Sequence, residues 1–298
     1  MRLNQIRDFV AVVETGSISA AARSLGVSQP GITKSVGGLE SELHAKLLQR
    51  TTRGVVLTPS GRAFLTRARV AQSELRKGAQ EVEQLAGERA GSVAFGFGPH
   101  VAILIVPEAI PRFRQQFPRA NVRLVEGLGH ALIPLVRDEV LDFVVTVRFP
   151  GVRLDTAIAF RPLFRHRRVV VARKGHPLGN ARSLAQLADA TWLSLEPREL
   201  LNQTFSSAGL PVPRPIIQCE SYNALVALLA NSDMVAVVPR LTLTQPFAAD
   251  LLQEIAVAEP MPSFTVGMFT RADTPLTLVA AAMAKAVTAA ARPLSRSA

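Results

Sequence analysis

The first forty residues repeat one pattern: a short run with helical apolar periodicity ends at a glycine, and the next run opens at a serine. Residues 3–14 carry apolar side chains at helical spacing, and Gly16 ends the run. Ser17 can cap a second helix that ends at Gly26, and Ser28 can cap a third. Helices this short are marginal on their own, so the pattern predicts a small packed domain with a helix-turn-helix plan.

The third predicted helix has an apolar face and a small polar face. Pro30 is tolerated in its first turn, where the missing N–H would have no helical partner. The apolar face comprises Ile32, Val36, Leu39 and Leu43, and the opposite face comprises Pro30, Thr33, Lys34, Gly37 and Ser41. A small, polar and singly basic face can enter the major groove of DNA.

A basic stretch follows this helix. Between Leu43 and Arg69 there is no Asp or Glu, and the basic residues are Lys46, Arg50, Arg53, Arg62, Arg67 and Arg69. Residues 51–58 alternate like a short hairpin with Gly54 at its bend. The order predicts a wing against the phosphate backbone; a connecting loop and a solvated helix face are the alternatives. The chain's excess of 34 basic over 23 acidic residues, +11, also favours a polyanionic partner.

These residues resemble the winged helix-turn-helix of LysR-type transcriptional regulators. The resemblance rests on Ala21-Ala22, Leu25, Ser28-Gln29-Pro30, Leu39-Glu40, Leu43, Leu47-Leu48, Arg50 and Leu57-Thr58-Pro59-Ser60-Gly61. It implies double-stranded DNA with an inverted repeat as the partner, and DNA-binding roles for Ser28, Gln29, Pro30, Thr33, Lys34, Arg50 and Arg53. The sequence departs from the family pattern at Gly31, Gly37, Gly38 and Leu48, and the two mid-helix glycines weaken the second half of the helix.

A regular apolar seam runs along the next predicted helix. Phe64, Ala68, Ala71, Leu75, Gly78, Val82 and Leu85 follow one another at spacings of four and three. An a/d seam over three heptads favours pairing with a second chain, whereas a single helix could bury it on its own domain. The family resemblance likewise implies a long dimerising linker helix, with dimer or tetramer left open.

Beyond residue 90 the sequence predicts strands alternating with helices, which is typical of a parallel α/β sheet. The strands are expected at 92–97, 122–125, 141–147, 163–172, 192–195, 216–219, 234–238 and 263–269. The helices are expected at 101–117, 131–139, 183–188, 222–230 and 274–291. In order and length the region resembles the family's periplasmic-binding-protein-like effector domain of two α/β subdomains.

The expected domains are a winged helix-turn-helix over residues 1–58, a linker helix over 59–88, and an effector domain over 89–298. Subdomain I comprises 89–160 and 268–298, and subdomain II comprises 161–267. The stretches 141–143, 219–221 and 238–240 are similar to the subgroup that senses toluenesulfonate.

The sequence contains no constellation that indicates catalysis or a cofactor. The five histidines lack metal-ligand spacing, phosphate-binding and nucleophile-elbow motifs are not met, and Cys219 alone excludes a disulfide framework. We therefore expect neither an enzyme nor a cofactor. The charged start and the interrupted late apolar stretch predict no signal peptide and no membrane span, in keeping with the cytoplasm.

Several segments that follow predicted strands are candidates for an effector site: 98–100, 127–130, Arg148, 195–198 and Pro239-Arg240, together with the helix start at Ser221. Ligands of α/β sheets bind at the carboxyl ends of strands. The candidate residues are Gly98, Pro99, His100, Gly127, Gly129, Arg148, Phe149, Leu195, Ser221 and Pro239. Helix starts at Pro99 and Ser221 suggest an anion, and 21 basic against 15 acidic residues from position 91 onward favour a small organic acid.

The interpretation is a cytoplasmic transcriptional regulator that binds DNA as an oligomer and senses a small molecule, with RNA polymerase left open as a further partner. The alternative is a solute-binding or enzymatic α/β protein with an unrelated helical N-terminus.

Overall fold

A computed structural model of the chain describes residues 1–51, 54–85, 90–149, 151–195 and 197–296. Its N-terminal part contains three helices, a hairpin and a long fourth helix. The helices are α1 (Leu3–Thr15), α2 (Ile18–Leu25), α3 (Gln29–Glu42) and α4 (Pro59–Leu85), and the hairpin strands are β1 (Leu48–Thr51) and β2 (Gly54–Leu57).

The predicted glycines and caps position these helices. Gly16 and Gly26 end α1 and α2 with φ of 68° and 65°, in the left-handed region that favours glycine. The hydroxyl of Ser17 accepts a hydrogen bond from the amide of Ala20, and that of Ser28 accepts from Gly31. Phe9, Val12, Ile32 and Leu39 lie at the centre of the resulting core, and the start of α4 packs on it. Leu43, expected in the core, is exposed instead because α3 ends at Glu42.

The effector domain contains two five-stranded sheets. The first has the order β4-β3-β5-β12-β6, and the second has the order β11-β7-β10-β8-β9. The strands of the first are β3 (Ser92–Phe97), β4 (Asn121–Glu126), β5 (Phe143–Arg148), β6 (Ile158–His166) and β12 (Phe264–Arg271). The strands of the second are β7 (Arg168–Arg173), β8 (Thr191–Ser194), β9 (Ile216–Gln218), β10 (Met234–Pro239) and β11 (Leu252–Ile255).

Helices cover both sheets. They are α5 (Pro99–Leu104), α6 (Val106–Gln116), α7 (Gly129–Arg137), α8 (Arg198–Ser207), α9 (Tyr222–Ala230), α10 (Pro246–Ala249) and α11 (Leu278–Ala291). In subdomain I, α6 and α11 pack on Phe95, Phe143 and Met268. In subdomain II, α9 packs on one side of the sheet, while Trp192 and Phe205 stack edge to face in the other core.

The expected α/β class is confirmed, and the sheets are mixed instead of wholly parallel: β3 pairs parallel with β4 and β5, and β8 pairs parallel with β9 and β10. β12 runs antiparallel to both β5 and β6, and β7 runs antiparallel to β10 and β11. In each sheet the antiparallel strand is the one by which the chain enters from the other subdomain. Parallel neighbours need a crossover connection, usually a helix, and a strand that enters from the other sheet has none.

Two expected elements are divided in the structure. The single strand expected at 163–172 is two strands in different sheets, so the chain leaves subdomain I after His166 and returns at Phe264, compared with expected boundaries near 161 and 268. The single helix expected at 101–117 breaks at Ile105, because Pro107 has no N–H to donate to the carbonyl of Ile103 and is tolerated only in the first turn of a new helix. Ser183 makes no side-chain cap of the short 3-10 turn after it.

Candidate DNA-binding surface and effector cleft

The residues predicted to reach DNA bases lie together on the exposed side of α3. Ser28 caps this helix through its hydroxyl, which accepts the Gly31 amide at 3.2 Å. Gln29, Pro30, Thr33 and Lys34 are all exposed, while Ile32 and Val36 on the other side are buried. The side-chain oxygen of Gln29 accepts a hydrogen bond from the Ser19 hydroxyl at 3.1 Å, which orients its amide group.

A buried carboxylate joins α3 to the hairpin. Glu40 accepts hydrogen bonds from the backbone amides of Leu47 and Leu48, at 2.8 and 3.0 Å, and from Lys46 Nζ at 2.7 Å. Burial raises the pKa of this carboxyl, but the three hydrogen bonds outweigh burial and hold the pKa below 4.5. The hairpin is therefore fixed relative to the polar face of α3.

Of the two predicted phosphate-binding arginines, Arg50 lies in β1 opposite Val55. Its side chain lies outside the described part of the structure, as does the whole of Arg53.

The predicted seam of α4 divides into two parts. Phe64 packs edge to face on Phe9, with 5.5 Å between ring centroids, and Ala68 is buried in the N-terminal core. Ala71, Leu75 and Val82 are exposed, the last two to 53% and 67%. The first part of the seam thus packs on its own domain, and the second part presents apolar side chains to solvent.

A cleft of about 590 Å³ lies between the two sheets of the effector domain. Of the candidate effector residues, those that line it are Gly98, Pro99, His100, Gly129, Phe149, Leu195 and Pro239. The others lie elsewhere: Gly127 packs against Leu132, Arg148 places its guanidinium 5.0 Å from the ring of Phe160, and Ser221 accepts from the Ala224 amide as the exposed cap of α9.

Two glycines allow the backbone to close around one wall of the cleft. A Cβ at Gly98 would lie 2.9 Å from Oγ1 of Thr146, and a Cβ at Gly129 would lie 3.2 Å from its Cγ2. Buried Thr146 on β5 therefore fits between the start of α5 and the start of α7 only because both positions lack a side chain.

The floor of the cleft contains two histidines. The rings of His100 and His166 lie 6.4 Å apart, and His100 also meets Tyr222 edge to face at 4.8 Å. His166 is 3% exposed, and its ring nitrogens, like Nε2 of His100, make no well-aligned hydrogen bond to the described residues; the Arg167 backbone gives His166 only a weaker one. Burial above all, then His166 and Arg168, lowers the pKa of His100 to about 3. Burial and the Arg168 guanidinium lower the pKa of His166 to about 4.

Sequence reasoning missed several residues that line the cleft. These are Val101, Thr146, Val147, His166 and Val266, whereas Leu128, His130 and Pro197 lie in the predicted strand-end segments 127–130 and 195–198. His166 was out of reach of the strand-end argument, because a continuous strand over 163–172 places it inside a sheet instead of at a crossing point.

The chain matches two family models. Residues 86–292 match the LysR substrate binding domain, and residues 3–62 match the bacterial regulatory helix-turn-helix protein, lysR family. An SDS degradation transcriptional activation protein of Pseudomonas sp. (strain ATCC 19151) is 32% identical over 292 residues, which are 94% of each chain.

Solved structures share the fold over nearly the whole chain. A full-length OxyR variant from Pseudomonas aeruginosa has a TM-score of 0.71 at 22% identity, covering 98% of this chain and 95% of its own. Full-length CbnR complexed with its target DNA has a TM-score of 0.66 at 21% identity, covering 97% and 100%.

These matches decide between the two interpretations of the sequence. An unrelated helical N-terminus is wrong, because the helix-turn-helix and the α/β domain belong to one family architecture. No helix in the described ranges is long and apolar enough to cross a membrane. The chain belongs to the LysR family of transcriptional regulators: it is a DNA-binding regulator with an effector-binding domain, not an enzyme.

Proposed function

We propose that this regulator binds DNA sites of inverted-repeat symmetry as a dimer or tetramer, and that a small organic acid bound between its two subdomains controls it. The observation that carries the proposal is the presence, in one chain, of an exposed polar face on α3 and a lined cleft between the two sheets.

In this proposal the first turns of α3 enter the major groove. Gln29, Pro30, Thr33 and Lys34 reach base edges, and an oriented glutamine amide suits the paired donor and acceptor of adenine. Arg50 and Arg53 meet phosphates on the neighbouring backbone. The groove contacts come from the start of the helix, where Ser28 and Gly31 fix the backbone, and not from the glycines at 37 and 38.

The exposed part of the α4 seam supports self-association. Ala71, Leu75 and Val82 form a stripe that a second copy of the helix would cover. Two-fold pairing of the linker helices would give the DNA-binding heads the symmetry of an inverted repeat. An exposed leucine and valine on a 27-residue helix also disfavour a helix that stays unpartnered.

The cleft suits a small molecule with an apolar part. Its walls contribute Phe149, Leu195, Pro239 and Val266, and an apolar lining is typical of small-ligand sites. Arg168, whose guanidinium lies 4.4 Å from the Phe264 ring centroid, places a positive charge behind the histidines. The excess of basic over acidic residues in the effector domain, 21 against 15 from position 91 onward, favours an acidic group over a basic one.

Helix α7 offers a path from the cleft to the linker. Its first residues, Gly129 and His130, line the cleft, and Glu139 just beyond its end contacts Lys77 of α4. An effector that prefers one arrangement of the subdomains would shift α7 and thereby the linker helix. We place this activity in the cytoplasm, and RNA polymerase is the further partner that the family suggests.

Selection of binding sites from random double-stranded DNA by the full chain tests this function. We expect an enriched inverted repeat whose binding weakens steeply with salt. Acids and their neutral amides are then compared for their effect on binding to the selected site. Enrichment of no symmetric sequence would contradict the proposed DNA recognition, and an equal effect of acids and amides would contradict an acidic effector.

A further inference from the structure

The short segment that joins α3 to the hairpin, residues 46–48, is held by hydrogen bonds on both sides. On one side, the amides of Leu47 and Leu48 donate to the Glu40 carboxylate of α3, at 2.8 and 3.0 Å. On the other side, the Thr58 hydroxyl donates to the carbonyl of Lys46 at 2.6 Å, and the Thr58 amide donates to the carbonyl of Leu47 at 3.0 Å. The 46–48 segment therefore binds α3 through its amides, and it binds the residue that precedes α4 through its carbonyls.

The first turn of α4 is fixed against the same segment. Oγ1 of Thr58 accepts a hydrogen bond from the amide of Gly61 at 2.9 Å and so caps the helix. Gly61 is buried, and a Cβ at this position would collide with the carbonyl oxygen of Leu47. Only glycine allows the helix to lie this close to the 46–48 segment.

We propose that Thr58 and Gly61 are positioning residues for DNA recognition. Through the 46–48 segment they hold α3 and α4 at one fixed angle, and this angle determines which spacing of half-sites the protein accepts. The inference rests on the proposed function, in which a pair of linker helices presents two DNA-binding heads to an inverted repeat. Neither residue needs to contact DNA for this role.

A fixed angle matters because the two heads bind the same duplex at the same time. In a dimer, the spacing of half-sites mirrors the separation and rotation of the two recognition helices. One base pair more or less rotates the second half-site by about 35° around the DNA axis. A head whose α3 pivots on α4 could follow that rotation. A head whose α3 is held by buried backbone hydrogen bonds could follow it only by breaking them, which costs free energy.

The first test varies the half-site spacing. The selected inverted repeat is rebuilt with one base pair inserted or removed between its half-sites, and the affinity of the full chain for each duplex is measured by gel shift. The spacing penalty is the affinity for the selected spacing divided by the affinity for the changed one. T58V keeps the shape of the side chain but loses its hydroxyl. We expect its spacing penalty to be about twofold to tenfold smaller than that of the unmodified chain, the factor that one typical hydrogen bond can supply.

Three controls separate positioning from general damage to the head. T58S restores the hydroxyl and should restore the spacing penalty. S60A removes a hydroxyl from the same turn, but Ser60 is exposed and its side chain makes no hydrogen bond within the described part of the chain, so S60A should match the unmodified chain. Affinity for a single half-site should be equal in all four proteins, because none of the changes alters a proposed contact with DNA.

Hydrogen exchange of the unmodified chain tests the connection without any variant. Amides held in one rigid unit open together, with one common free energy of opening. The two amides bonded to Glu40 and the amides of Thr58 and Gly61 should therefore show the same protection. Faster exchange at Thr58 and Gly61 than at the other two amides would show that α4 opens separately from α3, and would overturn the proposal.

The proposal is also overturned if T58V keeps the full spacing penalty, if S60A lowers the penalty as much as T58V does, or if T58S does not restore it. Selection of no inverted repeat would overturn the proposed function, and the exchange measurement, which needs no DNA, would still test the connection between the helices. A selected repeat with the same spacing penalty in T58V and the unmodified chain would overturn the positioning role alone.

Discussion

Lys77 on the linker helix donates a hydrogen bond to Glu139 in the effector domain, with 3.0 Å between Nζ and Oε2. The Glu139 side chain is 3% exposed, and Arg271 lies 3.3 Å from its other oxygen. Glu139 lies two residues beyond the end of α7 and adopts a left-handed φ of 55°. The helix that begins in the cleft thus ends on an ion pair to the linker.

Replacing this carboxylate should loosen the junction. In Glu139→Gln the two cations lose a buried charge, so we expect the free energy of local opening to fall by about 1–3 kcal/mol. Amide hydrogen exchange should become faster at the end of α7 and near Lys77, and stay unchanged in subdomain II. Glu74→Gln is the matched control, because Glu74 pairs with the same lysine but is half exposed, and exposed pairs contribute little. Equal exchange in all three proteins would show that the ion pair does not hold the linker.

The N-terminal domain could be predicted almost completely because its signals are local. Gly16 and Gly26, both with positive φ, mark the ends of α1 and α2, and Ser17 and Ser28 cap the starts of α2 and α3. The effector domain lacks such marks at its crossing points. Only Arg167 separates β6 from β7, and neither glycine nor proline interrupts the apolar pattern there, so two strands in different sheets look like one.

The candidate cleft was predictable only where a side chain follows a strand end in sequence. Gly98, His100 and Leu195 meet that condition and line the cleft. His166 reaches it through the crossing of the chain, and Thr146 through the absence of side chains at two distant glycines. Both depend on tertiary packing. β11 and α8 were missed altogether, since their short or mixed patterns give no clear period.

Glu40 should be essential for the stability of the N-terminal domain. In Glu40→Ala the amides of Leu47 and Leu48 lose their acceptor, and each buried unsatisfied amide costs about 1–3 kcal/mol. We expect a clear fall in melting temperature by calorimetry. Glu40→Gln keeps an acceptor oxygen and loses only the ion pair with exposed Lys46, so the fall in its melting temperature should be smaller.

Because the pKa of Glu40 is below 4.5, the stabilisation that depends on its charge is present above pH 4.5 and is lost as the pH falls through the folded-state pKa. Similar losses in the two variants would contradict the role of the two amides.

The buried histidines should make the free protein less stable in mild acid. The pKa of His166 is lowered from 6.5 to about 4, so between those values the unfolded chain binds a proton that the folded chain does not. Stability therefore rises with pH across this window, by on the order of 3 kcal/mol for this residue. Urea midpoints measured across the window should rise less steeply in His166→Asn than in the unmodified chain. An unchanged slope in His166→Asn would mean that this ring is protonated in the folded state.

The α4 seam should be required for assembly. Leu75→Arg would place an unpaired charge twice in a two-fold helix pair, which favours dissociation. Sedimentation should report a smaller species, and affinity for the inverted repeat should fall. Gln80→Arg adds the same charge at the heptad position opposite the seam and should leave both unchanged. If Leu75→Arg sediments and binds DNA like the unmodified chain, the exposed stripe is not the pairing surface.

Gln29 should determine which base is preferred, and the basic residues should determine overall affinity. In Gln29→Ala we expect discrimination between the selected site and a site changed at one base pair to fall by about 1–3 kcal/mol. Arg53→Ala should weaken binding to all sequences alike and reduce the salt slope by about one phosphate contact. Ser19→Ala keeps the glutamine but removes the hydroxyl that orients it. Its discrimination between the two sites should therefore lie between that of the unmodified chain and that of Gln29→Ala. Gel-shift titrations on the two sites at several salt concentrations separate these effects. Equal discrimination by Gln29→Ala and the unmodified chain would remove Gln29 from the base-reading surface.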